Sequence, residues 1–141
     1  MGVLIGIDFG KKRTGLAHTD TQQIIASGLT TVDTDDTIHY LSVYHRKTPI
    51  EKFVVGQPKQ RDGSYSDVEK EILLFITQLI EVFPNTPIVR QDERFTSKMA
   101  FNSLIQSGAK KKYRKDKSLV DEISATLILQ SYLSSHSKPV I

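Results

Sequence analysis

Three acids raise the question of chemistry: Asp8, Glu93 and Asp121. Asp8 lies in an apolar run, residues 3–9, that reads as a buried strand. An ionised carboxylate there is costly unless it is paired or holds a metal. Glu93 belongs to Asp92-Glu93-Arg94, directly after a second apolar run at 88–91. Asp121 sits early in a helical pattern, on the row of Ala125 and Ile128, which should pack inward. Each acid also has an ordinary use. Asp8 could satisfy the glycine turn behind it, Glu93 and Arg94 could form a loop ion pair, and Ser118-x-x-Asp121 resembles a capping box. Taken together, the three suit Mg²⁺ or Mn²⁺, hard ions that want oxygen ligands. Two such ions about 3.5–4 Å apart can activate a water and stabilise the leaving oxygen of a phosphodiester. No other catalytic set competes. The chain has no cysteine, its four histidines (His18, His39, His45, His136) lack zinc spacing, and no serine sits in a nucleophile elbow.

Phosphate chemistry also needs positive charge nearby. Lys11, Lys12 and Arg13 follow Asp8, Lys59 and Arg61 lie in the segment 56–64, and Arg94 and Lys98 follow Glu93. Each segment follows a strand expected to run parallel to the others, so all three should share one end of a sheet. Their glycines allow close approach of a phosphate chain. Residues 110–117 hold six basic residues and one acid, 6 − 1 = +5, whereas the rest carries 13 − 15 = −2. The net +3 of the 141-residue chain therefore comes from one segment. Lys110, Lys111, Lys112 and Arg114 are its candidate phosphate contacts, a flap beside the acids.

The elements that must position these groups can be read from hydrophobic period. In residues 3–9, Val3, Ile5 and Ile7 face one way and Leu4 and Asp8 the other, with Gly6 between. Residues 14–19 and 24–32 read as two more strands, completing an antiparallel meander. Residues 34–46 have helical spacing after an Asp33 or Thr34 cap, and 53–55 form a short buried strand ending at Gly56. Ser66-x-x-Glu69 reads as a capping box that opens an amphipathic helix carrying Val68, Ile72, Phe75, Ile76 and Leu79. A strand at 88–91 precedes a helix capped by Thr96 or Ser97 and ended by Gly108. Ser118 should cap a last helix to about Leu133, with Ile123, Leu127 and Gln130 along one row. The order β-β-β-α-β-α-β-α-α implies an α/β domain with a mixed five-stranded sheet, antiparallel on one side and parallel on the other.

Length and composition narrow the function classes. One domain spanning 1–141 is expected, because a single core serves roughly 100–200 residues. Two-lobed kinases and ATPases need about twice this chain. The N-terminal apolar run is too short for a membrane span and ends at Asp8, with no basic segment before it. Gly2 could begin a myristoylation motif, but position 6 is Gly rather than Ser or Thr. A cytoplasmic protein without membrane attachment is the expectation, consistent with the lack of cysteine.

Four stretches resemble one family. They are Gly6-Ile-Asp8-Phe-Gly10-x-Lys12-Arg13-x-Gly15-x-Ala17, Val54-Val55-Gly56-x-Pro58 with Asp62-Gly63-Ser64, Asp92-Glu93-Arg94-Phe95-Thr96-Ser97, and Asp121-x-x-x-Ala125 with Leu129-Gln130-x-Tyr132-Leu133. Their order and spread resemble the YqgF family of pre-16S rRNA nucleases, also described as Holliday-junction resolvases. The resemblance implies an RNase H-like fold with helices on both sheet faces. It also implies metal-binding catalytic acids at Asp8, Glu93 and Asp121, and a small nuclease, monomer or homodimer, that matures the 5′ end of 16S rRNA. Gln57 departs from the family's usual Leu, and Glu122 and Ser124 replace small residues; Glu122 or Asp92 could add a ligand. Two other readings stand beside the nuclease. One is a nucleic-acid-binding module without catalysis. The other is an ATP-binding protein, because Gly6-Ile-Asp8-Phe-Gly10 is also similar to the first phosphate motif of actin-like ATPases.

Overall fold

The computed structural model describes residues 2–59, 66–92 and 117–136. The expected helix at 96–108 and the basic segment at 110–116 lie outside them. Five strands form one sheet: β1 (Val3–Asp8), β2 (Arg13–Thr19), β3 (Ala26–Asp33), β4 (Ile50–Gln57) and β5 (Ile88–Asp92), in the spatial order β3-β2-β1-β4-β5. The first three make the antiparallel meander. β1, β4 and β5 are mutually parallel, so their carboxyl ends share one end of the sheet. The mixed five-stranded sheet expected from the order of elements is the one present, with the RNase H-like arrangement that the resemblance implies.

The two faces are filled by different helices. Val3, Ile5, Ile7, Phe53 and Val55 pack beneath α1 (Thr37–Lys47) and α2 (Glu69–Val82), which contribute Leu41, Ile72, Phe75 and Leu79. Leu4, Ala17 and Val54 face α3 (Lys117–His136) through Ala125, Ile128, Leu129 and Tyr132. β1 is thus buried on both faces, which is why its sequence is an almost unbroken apolar run.

Three local expectations are corrected. The helix after β3 takes no side-chain cap from Asp33; a 3₁₀ turn at Thr34–Asp36 enters it first. Thr34 is occupied elsewhere, donating its hydroxyl to the Gly10 carbonyl. Ser66 and Glu69 do not form a capping box. The Ser66 N–H donates to the Pro58 carbonyl at 3.3 Å, and the Glu69 carboxylate is taken by Arg90, a partner 21 residues on. The last helix begins at Lys117, so Ser118 lies inside it rather than before it. Its buried row continues from Asp121 through Ala125 and Ile128, as expected, whereas the row ending at Gln130 turns outward.

Candidate active site

The geometry begins with two glycines. Alternation along β1 puts Leu4, Gly6 and Asp8 on the α3 face. A Cβ at Gly6 would stand 2.8 Å from Leu129 Cβ and 2.9 Å from the Ala125 carbonyl, so α3 rests directly on the β1 backbone there. Asp8 is in register with Gly15 on β2. A Cβ at Gly15 would stand 2.1 Å from the Asp121 carbonyl oxygen. The first described turns of α3 therefore lie over the strand position beside Asp8. Asp8 and Asp121 come to the same face at the same end of the sheet, although 121 − 8 = 113 positions separate them.

Arg13 opens β2 and places its Nε 3.6 Å from Asp121 Oδ2. That Nε is buried and makes no hydrogen bond among the described residues. The loop carrying it is well anchored. Phe9 packs on Phe75 with ring centroids 5.3 Å apart. The buried Thr14 hydroxyl bonds that of Thr34 at 2.9 Å, and the Thr34 N–H donates to the Lys12 carbonyl at 2.9 Å. Lys12 is exposed. Lys11 is turned toward α2, 3.7 Å from Glu71, an exposed pair of little energetic weight. Lys59 sits partly buried beyond β4. Glu93, Arg61, Arg94, Lys98, Lys110, Lys111, Lys112 and Arg114 lie outside the described residues.

Two candidate extra ligands are placed away from this spot. Asp92 shares strand parity with Ile88, which packs on the α1/α2 side, and with Arg90, which binds α2; Asp8 is on the other face. Glu122 lies against Gly28 of β3, its Oε1 2.5 Å from where a Cβ would be, two strands from β1. Among the described residues no three acids or histidines converge. The donors of Asp8 and Asp121 are hard carboxylate oxygens, the chemistry that Mg²⁺ or Mn²⁺ requires.

One feature of this end of the sheet escaped sequence reasoning. Arg90 donates to both carboxylate oxygens of Glu69 at 2.8 and 2.7 Å, to the Gly56 carbonyl at 3.0 Å and to the Val55 carbonyl at 3.3 Å. Gln57 adds a 3.3 Å bond to Glu69. Chiefly through the Arg90 hydrogen bonds, the Glu69 carboxyl is held below its ordinary pKa. The available signal was positional: Glu69 occupies the same inward helical row as Ile72 and Ile76, where an acid needs a buried cation.

This sheet order, with α3 laid across the β1 and β2 strands, is that of the RNase H-like class. Two solved structures share the fold. Thermus thermophilus RuvC in complex with a Holliday junction substrate aligns with TM-score 0.54 at 18% identity, covering 99% of this chain and 100% of that one. A second T. thermophilus RuvC structure gives 0.52 at 17%, covering 94% and 95%. The chain itself belongs to the RuvX (YqgF) family, described as Holliday junction resolvase, whose model matches residues 2–135. A relative from Flavobacterium johnsoniae, called "Putative pre-16S rRNA nuclease", is 50% identical over 132 residues, 94% of this chain and 96% of the relative. One of the same name from Phocaeicola vulgatus is 49% identical over 135 residues, 96% of this chain and 97% of the relative.

Proposed function

We propose that residues 1–141 form one nuclease domain that cleaves structured RNA with a divalent metal, maturing the 5′ end of pre-16S rRNA in the cytoplasm. The observation that carries the reading is the meeting of Asp8 and Asp121 across Gly15. The names of relatives near 50% identity support the substrate. No helix among the described residues is long and apolar enough to cross a membrane. The active unit is a monomer or a homodimer.

Asp8, Glu93 and Asp121 would hold Mg²⁺ or Mn²⁺, which when bound supplies the Lewis acidity that activates water and offsets charge on the phosphate in a two-ion mechanism. Arg13, beside Asp121, is placed to neutralise the charge that develops on the phosphate oxygens. Lys12 and Lys59, with Arg61, Arg94, Lys98 and the basic segment, hold the flanking phosphates and so orient the scissile bond. Lys11 contributes after releasing Glu71.

The test is to incubate the purified protein with Mn²⁺ and either a 5′-extended 16S rRNA fragment or a four-way DNA junction, beside Asp8→Asn. Cleavage of the RNA that disappears in a folded Asp8→Asn variant is expected. Cleavage at the wild-type rate by that variant would refute the assignment. The family description favours a second reading, resolution of branched DNA, which predicts that the junction is cut instead. Binding of RNA without cleavage in either metal would instead mark a non-catalytic module.

A further inference from the structure

The Gln57–Glu69–Arg90 cluster takes no part in the reading above. We propose that this cluster is a positioning device for nucleic acid: it fixes the segment 56–59, the last two residues of β4 and the two that follow, as a preformed phosphate-binding turn. The inference rests on the nuclease reading only in taking that turn to face the substrate.

Gly56 and Gln57 are tied to the cluster, and Pro58 is tied to the residue that leads into α2. The Gly56 carbonyl accepts from Arg90 Nη2, the Gln57 amide donates to Glu69, and the Pro58 carbonyl accepts from the Ser66 N–H, one turn before α2. Arg90 sits on β5, Glu69 on α2 and Gly56 on β4, so one guanidinium joins three elements at the carboxyl end of the sheet. Its planar fork meets a carboxylate bidentately and reaches two carbonyls besides, which an ammonium could not do. Glu69 is buried and Arg90 largely so. A buried ion pair is weak evidence for stability, because two well-packed apolar residues often do as well. Its role here lies in what it holds. With the guanidinium in place, the loop carrying Lys59 meets a phosphate without first losing conformational freedom.

This separates positioning from mere stabilisation. The double substitution Glu69→Leu with Arg90→Leu removes both charges, so that neither is left buried without its counter-ion. It is expected to keep the denaturation midpoint near that of the wild type. It should nevertheless weaken binding of a fluorescent 5′-extended 16S rRNA fragment, read by anisotropy, by about tenfold, and raise KM in step while kcat is little changed. Wild-type affinity in the double variant would overturn the proposal. If that variant does not fold, Gln57→Leu and Arg90→Lys are measured in its place, and wild-type affinity in both overturns it equally. Binding is read without cleavage, so an inactive wild-type protein would sink the nuclease reading and leave this test intact.

Discussion

Gly15 touches Asp121 through the backbone: a Cβ on the glycine would stand 2.1 Å from the aspartate's carbonyl oxygen and 2.4 Å from its carbonyl carbon. Neither atom can swing aside, because both belong to the main chain of a helix. The closeness of α3 to β2, and with it the meeting of Asp121 and Asp8, depends on the absence of one methyl group.

Gly15→Ala is therefore expected to lift the start of α3, destabilise the fold by about 1–3 kcal/mol and weaken Mn²⁺ binding. Gly28→Ala is the control. The three atoms nearest its Cβ all belong to the Glu122 side chain, a flexible group that can rotate away. Urea denaturation and calorimetric Mn²⁺ titration of both variants check the contrast; equal behaviour would contradict it.

Thr14→Val removes the buried hydroxyl that bonds Thr34 and leaves its shape nearly unchanged. The expected cost is about 1 kcal/mol, seen as a lower urea midpoint at constant slope. The Thr34 bond to Gly10 survives, so the loop that carries Arg13 should keep its path.

Acid should loosen the α2 anchor. The Glu69 carboxyl is held below its ordinary 4.5, first by hydrogen bonds from Arg90, so the folded state binds its proton less readily than the unfolded chain does. The stability this contributes is complete above the unfolded value and is lost as pH falls through the lowered folded value. In Glu69→Leu/Arg90→Leu this contribution is absent. Urea midpoints measured from pH 7 down to pH 3 should therefore fall less steeply for the double variant than for the wild type.

The basic segment sets salt dependence. Neutralising Lys110, Lys111, Lys112 and Arg114 together should reduce the slope of log affinity against log salt by up to about 3 for single-stranded RNA. Anisotropy titrations across a salt series measure it, and an unchanged slope would exclude those four residues from phosphate contact.

Period and parity made most of the scaffold legible. The alternation of Leu4, Gly6 and Asp8 against Val3, Ile5 and Ile7 foretold both sheet faces, and the row Asp121, Ala125, Ile128 foretold the buried side of α3. Asp8 and Asp121 were legible because a carboxylate on an inward row stands out against apolar neighbours. Glu69 was misread for a related reason: Ser-x-x-Glu describes a local exchange of hydrogen bonds, and nothing within four residues reveals a competing guanidinium at Arg90. The Gly15–Asp121 approach was equally hidden, since a glycine in a strand does not name the element that needs its missing side chain.

The span between Asp8 and Asp121 also has a consequence for timing. The meander and β4 carry their own local pairings, yet the acid opposing Asp8 arrives only when the crossing helix has been made and laid on the sheet. A chain emerging from its N-terminus thus carries Asp8 well before Asp121 is added. The metal site proposed above can therefore form only once α3 has been made and laid on the sheet.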